Sequence, residues 1–147
     1  MYKNILIPTD GSELAGKAVQ HGIGLAKVVG AKVVFLTVYE PYRIVTLDPL
    51  MIEYTPEEYK KLAELNAAKI LSDASQNAQA AGVPCEAITL EHEHIHEAII
   101  DTATTKKCDL ITMASHGHRG VAALLIGSVT LKVLTHTRIP VLVHRQN

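Results

Sequence analysis

Asn4-Ile5-Leu6-Ile7-Pro8-Thr9-Asp10-Gly11-Ser12 places a short apolar run, a polar turn and a serine suited to capping a helix in direct succession. Residues 5–7 show no alternation of polar and apolar side chains, which marks a strand covered on both faces. Beyond Ser12, the residues Ala15, Ala18, Val19, Gly22, Ile23, Ala26 and Val29 recur at helical spacing as an inward stripe, and Gly30 reads as the stop. Strand, turn and amphipathic helix make one βα unit.

The same pattern continues to the end of the chain. Further strands are expected at residues 32–38, 85–90, 109–114 and 139–143. Thr55-Pro56-Glu57-Glu58 is a capping box with proline at the first helical position, opening a helix that runs through Tyr59, Leu62, Ala63, Asn66, Ile70 and Ala74 to Gly82. A third helix is expected at 95–106, with Ala98, Ile99, Thr102 and Ala103 inward, and a fourth from Ser128 to just before Ile139-Pro140. The fold class that follows is α/β: a doubly wound, Rossmann-like, five-stranded parallel sheet with helices on both faces, expected as a single domain over 1–147. Glu40 to Tyr54 is the one long connection without a clear period, either a lid or a wrapped loop.

Composition narrows the function. Of 147 residues 48% are hydrophobic, enough for a sizeable core, and the formal net charge of −1 provides no global field to attract nucleic acid or an anionic membrane. Cys85 and Cys108 fall in no metal or redox spacing and are expected as reduced, buried thiols. The amino terminus lacks a signal-peptide pattern and no stretch approaches the length of a membrane span, so a cytoplasmic location is expected.

In a doubly wound sheet a ligand binds beyond the carboxyl ends of the strands where the strand order reverses, so residues after the first and fourth strands are the first candidates. The fourth ends in Met113-Ala114-Ser115-His116-Gly117-His118-Arg119-Gly120, followed after six residues by Gly127-Ser128-Val129-Thr130 at a helix start. Glycines allow backbone to approach an anion, and amides at a helix N-terminus bind phosphate, with the Ser128 and Thr130 hydroxyls available to help. Alternatively, Gly117 and Gly120 only shape turns and Ser128 only caps the helix. Asp10 is either a ligand for ribose hydroxyls or a phosphate-bound metal, or an ordinary turn aspartate. Val38 is an adenine contact or a core valine.

These segments resemble the ATP-binding universal stress proteins. The likeness lies in residues 5–12, in Cys108 to Met113, and in Gly117, nine residues, then Gly127-Ser128, continuing through Ile139-Pro140-Val141-Leu142-Val143. The first glycine of the phosphate signature is replaced here by Ala114. The resemblance implies a fold like the adenine nucleotide alpha-hydrolases. Its implied site has Pro8, Thr9, Asp10 and Val38 at the nucleoside, Met113, Ala114 and Gly117 lining the pocket, and Gly127, Ser128, Val129 and Thr130 on the phosphates. It further implies ATP as the cofactor, with Mg²⁺ as a possible companion, and a role in stress tolerance. A homodimer through the last strand, Ile139 to His144, is implied as well.

Two competing functions stand beside regulatory ATP binding. One is a slow ATPase or phosphoryl-transfer enzyme, although the sequence offers no general base, no second carboxylate paired with Asp10 and no P-loop lysine. The other is a nucleotide-free dimeric interaction module. His92, His94 and His96 alternate and would share a face if extended, yet read more simply as a solvated loop than as a metal site. Ser115-His116-Gly117-His118 resembles the His-x-Gly-His signature of nucleotidyltransferases only superficially, because it follows the fourth strand rather than the first.

Overall fold

The computed structural model describes residues 1–43, 54–118 and 126–146. Five strands, β1 (Asn4–Pro8), β2 (Lys32–Tyr39), β3 (Cys85–Glu91), β4 (Leu110–Ala114) and β5 (Val141–His144), alternate with four helices. The helices are α1 (Glu13–Val29), α2 (Pro56–Ala80), α3 (Ile95–Thr105) and α4 (Ser128–His136). Every strand pairing is parallel, and the order across the sheet is β3-β2-β1-β4-β5. The order reverses between β1 and β4, which fixes the crevice at their carboxyl ends.

Alternate residues of the central strands build two cores. Ile5, Ile7, Val33 and Phe35 pack against Val19, Ile23 and Ala26 of α1 and Leu71, Ala74 and Ala78 of α2. On the other face Leu6, Val34, Leu36, Ile111 and Met113 meet Ile99 and Ala103 of α3 and Val133 of α4. The capping signals act as expected: Ser12 Oγ accepts from the Ala15 amide, Thr55 and Glu58 form a reciprocal capping box, and Gly30 ends α1 in the left-handed region at φ 73°.

Two expectations, the strand limits and the burial of Cys85, need correction, and α2 adds a finding of its own. β1 keeps its expected limits, but the other four strands depart from theirs by one or two residues; β2 and β3 extend to Tyr39 and Glu91, and β5 starts only at Val141, after Pro140. In α2 the buried residues are Ala67, Leu71, Ala74 and Ala78, whereas Leu62 is exposed and Tyr59, Ala63 and Ile70 are half-buried. The helix is about 37 Å long against about 26 Å for β2, so its first turns overhang the sheet and leave the core. Cys85 is half-buried rather than buried because β3 is an edge; Cys108 is buried, and burial, with Asp109 and Glu86 nearby, pushes its thiol up to about 11. The expected lid or wrapped loop falls largely on 44–53, outside the described residues.

Candidate functional site

The first wall of the crevice is the turn after β1. The Thr9 amide donates to Leu36 O at 2.8 Å and Thr9 O accepts from the Thr37 hydroxyl at 2.9 Å, so the strand pairing continues one residue past Pro8. Gly11, at φ 79°, then reverses the chain, and its amide reaches Thr9 Oγ1 at 3.3 Å. Asp10 divides its carboxylate between two parts of the molecule. Oδ1 accepts from the Ser12 amide at 2.9 Å, and Oδ2 accepts from the His118 amide, also at 2.9 Å, 108 positions along the chain. Burial pushes this carboxyl up, but the hydrogen bonds from Ser12 and from the His118 amide, with the His118 ring nearby, outweigh it and hold it below its ordinary value.

The second wall is built where β4 ends. A Cβ on Gly117 would overlap the Asp10 carboxylate, so this glycine is what lets the two loops meet. Ser115 is fully buried; its amide pairs with His144 O of β5 and its carbonyl accepts from the Gly127 amide at 2.7 Å. A Cβ on Gly127 would stand 2.9 Å from His116 Cβ and 3.0 Å from Ser115 O. The loop leaving β4 therefore returns to its own starting point before α4 begins. Thr130 is buried and its hydroxyl donates to Ala114 O at 2.9 Å, locking α4 onto the end of β4.

That bond changes one expectation, since the Thr130 hydroxyl is committed to the strand rather than available to a phosphate. A second change concerns Ser128. It is the first helical residue, not the cap: the cap is Gly127, with no side chain bonded to the helix start. The first acceptor inside α4 is Gly127 O, bonded to the Leu131 amide at 3.0 Å, so the amides of Ser128, Val129 and Thr130 precede the helical ladder and point out of it. Ala114 lies in β4 with ordinary backbone, buried against Leu14, Ala15 and Ala18 of α1, and positive φ is not required there. Replacing the first glycine of the signature thus introduces no backbone strain.

The eleven residues assigned to a nucleotide from sequence all line one cleft of about 840 Å³, well within the range of small-molecule sites. Pro8, Thr9 and Asp10 come from the β1 turn, Val38 from β2, Met113, Ala114 and Gly117 from the end of β4, and Gly127, Ser128, Val129 and Thr130 from the start of α4. The sequence did not nominate Tyr39, Tyr59, Asn66, Ile70 or Lys132, which line it too, as does His96, weighed from sequence only as a metal ligand. Tyr59, Asn66 and Ile70 belong to the overhanging turns of α2, and the Tyr59 hydroxyl donates to Glu40 O at 2.7 Å, holding the exit of β2 against that helix. Their helical spacing was visible, but identical spacing serves a core. His92, His94 and His96 follow one another at ring separations of 6.3 and 6.1 Å, from the end of β3 into α3. Among the described residues no group of three or more His, Cys, Asp or Glu side chains is placed to hold a metal ion. Among those same residues no helix is long and apolar enough to cross a membrane.

Comparison with known proteins agrees with this architecture. The model of the universal stress protein family matches residues 1–145. Universal stress protein MJ0531 of Methanocaldococcus jannaschii is 34% identical, over 97% of this chain and 82% of its own length. Among solved structures, MJ0577 of the same organism superposes with a TM-score of 0.86 at 28% identity, covering 100% of this chain and 98% of its own. A universal stress protein from Archaeoglobus fulgidus, solved in complex with dAMP, shares the fold with a TM-score of 0.72 over 98% of both chains, at 19% identity.

Proposed function

Because this chain belongs to the universal stress protein family, we propose that it is a regulatory, stress-tolerance protein that binds ATP in the cleft at the carboxyl ends of β1 and β4. One observation carries the proposal. The residues assigned to nucleoside and phosphates from sequence, scattered from Pro8 to Thr130, converge on a single cleft whose far wall is an uncapped helix start. The nucleoside lies between Pro8, Thr9 and Val38, where half-buried apolar surface and strand backbone suit a flat ring. The phosphates run toward Gly127 and the amides of Ser128, Val129 and Thr130, the arrangement that favours anions at a helix N-terminus. The dAMP complex of a protein of the same fold is consistent with an adenine ligand.

Asp10 is the one carboxylate of the β1 turn, and its oxygens already accept from two amides. Its proposed role is therefore to hold the two loops in register, with any Mg²⁺ accompanying the phosphates rather than resting on Asp10 alone. Hydrolysis is at most slow on this reading.

The proposed assembly is a homodimer through β5. This edge strand leaves Leu142 at 43% exposure, with Leu131 and Leu134 of α4 also exposed. An unpaired strand edge beside apolar side chains is a surface that a second copy satisfies.

The test is mass spectrometry of nucleotide released from freshly purified protein, followed by calorimetric titration of ATP with and without Mg²⁺. Recovered adenine nucleotide or a saturating titration supports the proposal. Neither signal under either condition would overturn it in favour of the nucleotide-free dimeric module.

A further inference from the structure

Among the described residues, the cleft proposed for a polyanion is lined by more titratable rings than cations. Three carboxylates, Asp10, Glu40 and Glu93, line it against one ammonium, Lys132, among the described residues. Four imidazoles, His94, His96, His116 and His118, line it as well.

Of the four, His96 is the one that feels the Lys132 charge. His96 stands in the first turn of α3, its ring 5.6 Å from His136 of α4 and 6.1 Å from His94. Lys132 and His136 are four residues apart on α4, hence on one helix face. The His136 Nδ1–H donates to Lys132 O at 2.8 Å, which holds the ring against its own helix. The ionisable groups around His96 are Lys132 and His136 from α4, His94 at the cap of its own helix, and Glu97 beside it. β2, which also packs against α3, has no titratable side chain between Lys32 and Tyr39.

We propose that His96 and Lys132, flanked by His136, form a subsite for the terminal phosphates of the nucleotide, and that phosphate binds there together with a proton taken up by His96. This rests on the adenine-nucleotide reading of the cleft and adds its pH dependence and its preference for longer phosphate chains. In the free protein, burial and then the Lys132 charge hold His96 below its ordinary value, opposed only in part by Glu97, with His136 and His94 adding to the depression. A phosphate seated between Lys132 and His96 replaces repulsion by attraction to both. The bound pKa of His96 therefore lies above the free one. Affinity then rises as pH falls through the bound value and levels off below the free value.

Titrating ATP, AMP and adenosine into the intact protein in EDTA buffer from pH 8 to pH 5.5 tests this. One linked proton permits at most about tenfold per pH unit, so ATP affinity should increase about tenfold over the range, with a smaller gain for AMP and none for adenosine. The ligand phosphate itself gains a proton near pH 6, and His96→Gln isolates the protein's share, because the nucleotide titrates identically against both proteins. In that variant the ATP slope should flatten while adenosine affinity stays unchanged, which also reports that the cleft is intact. Identical ATP slopes in wild type and His96→Gln would overturn the subsite and leave the nucleotide reading standing. Failure of all three ligands at every pH would overturn both.

Discussion

Two helices start at the point where the sheet reverses, and their beginnings are opposites. α1 follows β1 through a turn that satisfies itself: Ser12 Oγ accepts from Ala15, Asp10 accepts from Ser12, and Gly11 bonds to Thr9. α4 follows β4 through a glycine cap with no side chain bonded to its first turn, although Gly127 and Thr130 are tightly fixed by Ser115 and Ala114. The closed start holds the scaffold and the open one faces the cleft. A helix end that is rigid yet left open is a place where amides are oriented in advance for something outside the fold.

The comparison breaks most visibly at Ser128. An aspartate there favours the helix dipole, so Ser128→Asp should fold as well as wild type or slightly better while losing at least about 100-fold in ATP affinity. Calorimetry beside thermal melting separates the two effects, and unchanged affinity would show that α4 is not the phosphate end. Gly127→Ala pushes a methyl against His116 and the Ser115 carbonyl, and should destabilise by about 2 kcal/mol, read as a lowered Tm before any ligand is added.

Leu142→Lys probes the β5 edge and should convert a dimer to a monomer by light scattering with the Tm of the protomer little changed; a persistent dimer removes that interface. Asp10→Asn places an amide where two N–H groups already point, costing about 2 kcal/mol. The native carboxylate is depressed below its ordinary value, so its contribution is full above the unfolded-state pKa and fades as pH falls through the lower folded one. The stability difference between Asp10→Asn and wild type should accordingly shrink in acid. Smallest is Ser12→Ala, which opens the closed start: about 1 kcal/mol, or a Tm lower by about 3 °C, with ATP affinity nearly unchanged.

Much of this was legible from the chain. Uninterrupted apolar triplets such as Ile5-Leu6-Ile7 announced strands covered twice, and Thr55-Pro56-Glu57-Glu58 fixed a helix start to the residue, because capping chemistry is local. The switch point followed from the βα order alone. What the sequence left undecided depended on where elements end in space. Tyr59, Leu62 and Ile70 have the spacing of a buried stripe, and only the overhang of α2 past β2 turns them toward the cleft or solvent. Thr130 and Ser128 look equally suited to a phosphate; the carbonyl of Ala114 claims one hydroxyl and leaves the other exposed. Ala114 looked like a defect in a glycine signature until its strand backbone removed the need for glycine. Lys132 went unnoticed, and His96 was weighed only as a metal ligand, because the two lie on different helices 36 positions apart.

The tie between Asp10 and the His118 amide joins positions 108 residues apart. Forming it requires both segments to be in place, since chain entropy must be lost before the contact forms. The cleft is thus a property of the finished molecule, which a partly folded chain or an isolated half would lack. A ligand that recognises only the finished form draws the whole folding equilibrium toward it, by about 2.7 kcal/mol at a hundredfold excess over Kd. On the proposed reading, nucleotide supply would then also set how long the protein survives proteolysis.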